Sequence, residues 1–334
     1  MVDAGERIVL GTTGLELTRV GFGCAPIGNL LSEVSEEDAQ AAIAAAFEDG
    51  VRFIDAAPFY GYGLAEERAG RALKGRRRED FVLSTKVGRL VRPGKRSGAE
   101  IFGDNQSFYL ANPDMHLELD YSYDGVMRSL EDSLRRWKVD RVDILHIHDP
   151  DDHFEDAVNG AFRALDRLRS DGTISAVSAG MNQWEMLSRF MDHGRFDCFL
   201  LAGRYSLLDQ TALPEFLPKC QGRGVGVILG GVFNSGLLAH PVRGATFNYV
   251  PAPDNLIERA LALKSVCERH GVSLKAAAIQ FPLAHPAVTS ILTGVRTKAE
   301  WDENNAALQS TIPDDLWDEL KAEGLLSPDA PVPH

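Results

Sequence analysis

Three short apolar segments of this chain lead into polar groups whose chemistries complement one another. Phe53-Ile54 runs into Asp55, with Tyr60 shortly after; Val82-Leu83 leads through Ser84-Thr85 to Lys86; and Ile144-Leu145 leads to His148. A carboxylate or an ammonium in such a segment is costly to bury alone, so Asp55 and Lys86 are expected to compensate each other. A cation beside Tyr60 favours its phenolate and lowers its pKa from ~10, which makes the phenol usable as an acid or base near neutral pH. His148 is then placed to hydrogen-bond the reacting oxygen. Taken singly, each residue reads as a salt bridge, a cap or a satisfied core histidine; their conjunction on neighbouring segments points to catalysis. A rival chemistry starts from His146-Ile-His148, because i, i+2 on a strand sets both imidazoles on one face, as a metal-dependent barrel hydrolase requires. That reading needs further ligands where the sequence offers Lys86 and Ser178, and His146 reads better as a core residue. No metal is expected.

Bringing these residues together requires adjacent strands. Apolar runs recur at Val20 to Gly23, Arg52 to Ala56, Phe81 to Val87, Val142 to His148, Ile174 to Ala179, Phe196 to Leu201, Gly224 to Leu229 and Val288 to Thr293. Amphipathic stretches separate them, such as Ser35 to Glu48, opened by Ser-Glu-Glu-Asp, and Tyr123 to Trp137, with Val126, Leu130, Leu134 and Trp137 on one face. The pattern predicts a (β/α)8 TIM barrel, one domain over 1–334, with catalytic groups at the C-terminal strand ends. An open doubly wound sheet predicts a G-x-G-x-x-G turn after an early strand, and none is present; Gly222-Arg-Gly-Val-Gly226 leads into a strand and reads as a helix close. Ile8 to Leu10 and Leu15 to Thr18, around Gly11-Thr-Thr-Gly14, form an expected N-terminal β-hairpin that plugs one barrel end. Two long connections, Arg89 to Tyr121 with little periodicity and Phe233 to Pro253, are expected to shape the substrate site from the C-terminal face. The proline-rich segment Leu325 to His334 reads as a tail that packs over the mouth or stays mobile.

Composition narrows the function. With 44% hydrophobic and 25% charged residues over 334, the chain can bury a large core. A formal net charge of -13 leaves no basic surplus to release counterions, which argues against nucleic acid. The basic run Lys74 to Arg78 reads as a solvated helix end. Cys24, Cys198, Cys220 and Cys267 lack any C-x-x-C spacing and read as buried thiols. No apolar run approaches the ~20 residues of a membrane span, and the N-terminus has no apolar h-region, so a cytoplasmic location is expected. The acidic surface suits a monomer or an assembly equally.

The segments also carry a family resemblance. Phe53-Ile-Asp-Ala-Ala-Pro-Phe-Tyr60-Gly-Tyr-Gly-Leu-Ala-Glu-Glu-Arg-Ala-Gly70, Ser84-Thr-Lys86-Val-Gly and Asp143-Ile-Leu-His-Ile-His148-Asp-Pro resemble, in order, the tyrosine, lysine and histidine motifs of the aldo-keto reductases. The resemblance extends from Val20-Gly-Phe-Gly-Cys-Ala-Pro to Trp301-Asp-Glu-Asn304-Asn. It implies hydride transfer between a nicotinamide cofactor and a carbonyl or alcohol carbon, with Tyr60 as proton donor or acceptor, Lys86 and Asp55 tuning it, and His148 orienting the substrate. For the cofactor it implies contacts at Gly23 and Cys24, at Asn182, at Phe233, Ser235 and Gly236 through backbone N–H groups near the pyrophosphate, and at Gly294, Arg296, Glu303 and Asn304 near the adenosine. The family's glutamine and stacking tyrosine fall on Ala202 and Gly230. Where members preferring the phosphorylated cofactor place an arginine, this chain has Glu300, which favours NAD, with NADP left open by Arg296 and Lys298.

Leu201-Ala-Gly-Arg-Tyr-Ser-Leu-Leu-Asp209, Gly230-Gly-Val-Phe-Asn-Ser-Gly236 and Asp120-Tyr-Ser-Tyr-Asp-Gly125 resemble the branch of the family that holds D-threo-aldose (L-fucose) 1-dehydrogenases, pyridoxal 4-dehydrogenase and L-galactose dehydrogenase. That implies oxidation of a small-molecule hemiacetal to a lactone, with Tyr60 as general base. The alternatives are pyridoxal as substrate, a general aldehyde or ketone reductase, and a nicotinamide-binding regulatory subunit without catalysis.

Overall fold

The computed structural model describes residues 1–102, 106–248 and 250–333; Gly103 of the first long connection and His334 of the tail lie outside the described residues. Strands β1 (Val20–Gly23), β2 (Phe53–Asp55), β3 (Val82–Val87), β4 (Ile144–His148), β5 (Ala176–Met181), β6 (Cys198–Ala202), β7 (Gly226–Gly230) and β8 (Val288–Thr293) close a parallel barrel in sequence order. Helices α1 (Glu36–Glu48), α2 (Leu64–Leu73), α3 (Tyr123–Trp137), α4 (Arg163–Ser170), α5 (Trp184–Phe190), α6 (Phe216–Arg223), α7 (Asp254–Arg269), α8 (Leu274–Gln280), α9 (Lys298–Leu308) and α10 (Asp314–Ala322) accompany them. Every expected strand is present with slightly displaced ends, and the Ser35 side chain caps α1 by accepting from the Asp38 N–H. Gly224 ends α6 at φ 66°, the helix close expected of the glycine-rich stretch.

The strands point alternate residues inward and outward. Phe53, Ile144, Ala176, Cys198, Leu200, Ile228 and Leu292 form one buried cluster inside the barrel, which Leu10 and Leu17 of the N-terminal hairpin (Arg7–Val9 with Glu16–Thr18) join and close. The Phe53 ring fits because residue 21 is glycine: a Cβ there would lie 2.5 Å from Phe53 Cδ1 and 2.8 Å from Leu292 Cδ2. The larger cluster lies between strands and helices and takes in Trp137, Trp301 and Trp317. The four cysteines are buried free thiols. Within the basic run, Lys74 and Arg77 are exposed, while Arg78 is drawn inward to Asp143 at 2.6 Å.

The connections carry more structure than their sequence suggested. Arg89–Pro93 pairs antiparallel with Met115–Leu119, and Ile101–Phe102 with Gln106–Ser107, so the first is a β-ribbon and not an irregular loop. Its paired strands are mostly half-exposed and own no core, which explains the missing apolar alternation. In the second, Thr246–Phe247 pairs with Val250–Pro251. The tail is fixed by buried Leu326 and Ala330, by the Ser327 N–H donating to Gln210 Oε1 at 2.8 Å, and by Arg259 donating to the Leu325 carbonyl at 2.6 Å. Among the described residues no helix is long and apolar enough to cross a membrane.

Arg96 gathers the ribbon. Its guanidinium donates to Ser107 Oγ and to the carbonyls of Tyr109, Ala111, Asn112 and Met115, and it lies 3.8 Å from the Tyr62 ring centroid. Asn112 then donates to the carbonyls of Gly61 (3.0 Å) and Tyr62 (3.1 Å), which ties the ribbon to the turn that carries Tyr60. Arg96→Met removes charge-assisted bonds of about 1.5–3 kcal/mol each, so tryptic cleavage at Lys95 should accelerate roughly tenfold or more while the global unfolding midpoint moves little. An unchanged cleavage rate would contradict the role given to Arg96.

Candidate active site

Tyr60 stands in the turn between β2 and α2, where its N–H donates to Ala57 O at 3.0 Å and its carbonyl accepts from the Ala65 N–H at 3.1 Å. Gly28 packs against this turn so closely that a Cβ on it would lie 2.7 Å from the Tyr60 carbonyl carbon. Arg68 of α2 binds the same facing segment, donating to the Ile27 and Val34 carbonyls and to Asn29 Oδ1. The position of the phenol is thus set from two sides.

Beneath it lies the pair expected from the sequence. Lys86 and Asp55 are 1% and 2% exposed, and Lys86 Nζ is 2.6 Å from Asp55 Oδ2, donating also to Ala56 O at 2.9 Å. Ser84 fills the other carboxylate oxygen at 2.7 Å. Removing one member would leave a buried charge at a cost of about 3–5 kcal/mol. The Lys86 ammonium is 4.8 Å from the Tyr60 ring centroid, and the Tyr60 and His148 rings meet edge to face at 6.0 Å. Burial raises the Asp55 pKa, and Lys86 opposes that shift. Burial likewise drives His148 well below the ordinary histidine range, helped by Arg89, Lys86 and His146, so its imidazole is neutral.

His146 faces the same interior one layer deeper, with Nδ1 2.7 Å from Ser178 Oγ and Nε2 3.6 Å from Asp55 Oδ1. It belongs to the hydrogen-bonded interior. Among the described residues no three metal-ligating side chains cluster.

A cavity of about 610 Å³ opens from Tyr60 and Asp55 across the strand ends to the start of α9. Gly23, Asn182, Phe233, Ser235, Gly236, Gly294, Arg296, Glu303 and Asn304 border it; Lys86 and His148 do not, but they touch the bordering Asp55 and Tyr60. Cys24 does not border it: the thiol turns outward into the core at 0% exposure, and its amide donates to Asp55 O at 2.9 Å. Strand alternation explains this, since only Gly23 faces inward. The backbone cradle expected at Phe233 to Gly236 is also altered. The amides of Asn234 and Gly236 donate within the turn, to Gly231 O and Phe233 O, as this stretch runs through positive φ at Asn234, Ser235 and Gly236. Asn182 donates to Ala202 O at 2.9 Å, and Ala202 faces Gly230 across the ladder, so two strand ends present a wall without large side chains.

Sequence reasoning missed Lys275, which borders the cavity, pairs with Glu303 at 2.9 Å and lies 6.0 Å from the Phe233 ring centroid. It sits in α8, far in sequence from the motifs, and only packing brings it here. Arg89 and Asp149, an ion pair at 2.9 Å beside His148, were also missed, although Asp149 directly follows the histidine.

The buried histidines make stability pH-dependent. His146 and His148 are held well below their ordinary 6.5, and burial lowers His285 to about 4. Below pH 6.5 the unfolded chain takes up protons that these folded groups refuse, so stability falls with falling pH, by up to about 1.4 kcal/mol per pH unit for each group. The raised carboxyls of Asp55 and Asp149 act in the opposite sense above their ordinary 3.8. The unfolding midpoint should drop between pH 6.5 and 5, more steeply in the native protein than in His285→Asn; parallel profiles would exclude a buried neutral His285.

Comparison with known proteins places this geometry. Residues 19–323 match the model of the aldo/keto reductase family. The chain is 42% identical to a pyridoxal 4-dehydrogenase of Microbacterium luteolum, covering 98% of this chain and 99% of that protein. It is 38% identical to a D-threo-aldose 1-dehydrogenase of a Pseudomonas species (94% and 96% covered) and 30% identical to an L-galactose dehydrogenase of Arabidopsis thaliana (91% and 88%). The fold is that of a Bacillus halodurans aldo-keto reductase solved in its holo form, with TM-score 0.75 over 98% of both chains at 23% identity. A family match over most of the sequence, joined to dehydrogenases that run alongside it almost end to end, means that this chain belongs to the aldo/keto reductase family of NAD(P)-dependent oxidoreductases.

Proposed function

We propose that this enzyme oxidises the hemiacetal carbon of an aldose of the L-fucose or D-threo type to a lactone, with Tyr60 as general base. The observation that carries the reading is the Lys86 ammonium, buried against Asp55 and set 4.8 Å from the Tyr60 ring. The cavity, bordered by Asn182, Ser235, Gly236, Gly294 and Asn304, has a volume of about 610 Å³, within the range of cofactor sites, and these residues would hold a nicotinamide dinucleotide. A nicotinamide held there would supply the acceptor for the hydride of the hemiacetal carbon.

The protein's own groups handle the proton. Tyr60 oxygen receives the hydroxyl proton of the hemiacetal as the C–O bond becomes a carbonyl. Lys86 stabilises the negative charge on that oxygen before transfer, and Asp55 fixes the ammonium in place. His148, neutral at working pH, donates a hydrogen bond to the reacting oxygen and holds it beside Tyr60. Pyridoxal is the second candidate substrate, supported by the 42% identity to a pyridoxal 4-dehydrogenase.

NAD is the proposed cofactor. Arg296 pairs with Glu300, its Nε at 2.9 Å, Lys298 pairs with Asp302 at 2.7 Å, and Lys275 pairs with Glu303 at 2.9 Å. Each cation near the adenosine end is already matched by a carboxylate, which suits a ribose hydroxyl better than a 2'-phosphate.

L-fucose, D-arabinose, L-galactose and pyridoxal, assayed with NAD, test the reaction. Turnover should appear with at least one sugar, and Tyr60→Phe should lose about 10²–10⁴-fold in kcat while still binding NAD. Full activity in Tyr60→Phe would remove the mechanism. NAD should exceed NADP in kcat/KM by roughly tenfold, and Glu300→Gln should narrow that ratio by freeing Arg296; a native preference for NADP overturns the assignment.

A further inference from the structure

One partly buried ion pair at the catalytic end has no part in the proton path described above. Arg89, which opens the ribbon just past β3, and Asp149, which follows β4, approach to 2.9 Å between Nη2 and Oδ2, with side chains 13% and 27% exposed. The same Asp149 Oδ2 lies 3.5 Å from His148 Nε2. Phe59 covers the group, its ring centroid 5.4 Å from the Arg89 guanidinium and 6.5 Å from the His148 ring.

Asp149 is held there against its backbone preference. It has φ 39°, in the left-handed region that few non-glycine residues occupy. Its N–H donates to Gly180 O at 3.0 Å, and the Tyr121 hydroxyl donates towards the carbonyls of both His148 (2.6 Å) and Asp149 (2.8 Å). The turn points the carboxylate back at the imidazole. A neutral imidazole carries a single N–H, and its neighbours decide which nitrogen keeps it. His148 Nδ1 is buried without a partner among the described residues, so the choice falls to Nε2, where a carboxylate oxygen favours the protonated form. The other carboxylate oxygen, Oδ1, accepts no hydrogen bond among the described residues, and with the side chain 27% exposed it is open to a donor from outside the protein.

We infer that Asp149, anchored by Arg89, keeps the proton of His148 on Nε2 and accepts a hydrogen bond from the substrate hydroxyl on the carbon next to the reacting one. The inference rests on the hemiacetal reading and narrows it. Two oxygens on neighbouring carbons have the spacing needed to meet His148 Nε2 and the Asp149 carboxylate together. The site therefore selects cyclic hemiacetals that carry an adjacent hydroxyl donor. Asp149 is a positioning and specificity residue, acting on the reacting oxygen through His148.

D-arabinose and 2-deoxy-D-ribose differ only in the hydroxyl at that neighbouring carbon, which makes them the test pair. With NAD saturating, the native enzyme should favour D-arabinose by roughly tenfold or more in kcat/KM, and Asp149→Asn, which tolerates the same backbone conformation, should bring the ratio near one, mainly by slowing D-arabinose. A structural role alone would lower both sugars equally and overturn the inference while leaving the hemiacetal reading intact. Oxidation of neither sugar overturns the aldose reading and this inference with it. The native protein supplies a second measurement that needs no variant. Calorimetry in the presence of NAD should show the D-arabinose-derived lactone binding more tightly than its 2-deoxy counterpart, and equal dissociation constants count against Asp149.

Discussion

The buried contact between Lys86 and Asp55 constrains the upper half of the barrel. Two full charges lie in an interior whose lower layer is filled by Phe53, Ile144, Leu200, Ile228 and Leu292, and they are stable there only while they touch. The register that sets Asp55 opposite Ser84 provides the contact and supplies a hydroxyl for the second carboxylate oxygen. The remaining inward positions of this layer divide the barrel. On β2 to β4 they are Asp55, Lys86 and His148, with His146 one layer deeper; on β1, β5, β6 and β7 they are Gly23, Gly180, Ala202 and Gly230. One wall is crowded and polar and the other nearly bare, and the bare wall leaves the space in which the cavity runs.

The far end of the cavity follows a different rule. There the cations do not wait for a ligand but are matched by carboxylates of α9, at Arg296–Glu300 and Lys275–Glu303. Such half-exposed pairs add little stability, and their effect lies in the local potential, which they hold close to neutral. The proposal of NAD as cofactor rests on this matching of charge, in a chain whose net charge is -13.

Much of this was legible in the sequence, for physical reasons that differ by element. Strands buried on both faces must be written in apolar residues, so all eight could be read, and Asp55, Lys86 and His148 stood out because charge in such a segment has to be compensated. The helix α1 announced itself through Ser35 and its acidic first turn. The ribbon did not, because a half-exposed pair of strands has no inward face to encode. Cys24 stands one step of strand alternation away from the cavity that Gly23 borders. Lys275 and the Arg89–Asp149 pair were invisible for a third reason: their significance depends on contacts between segments distant in the chain, and residue type alone carries no trace of them.

The attachment of Asn112 to the Gly61 and Tyr62 carbonyls makes the ribbon and the turn that carries Tyr60 one mechanical unit. In a fold known for exchanging loops over a fixed scaffold, this modularity is interrupted here. A ribbon borrowed from another barrel would arrive without its anchor and disturb the turn that holds Tyr60. Recombination therefore has to carry the segments 57–63 and 89–121 together, and variation in substrate choice is expected to be inherited along with variation in turnover.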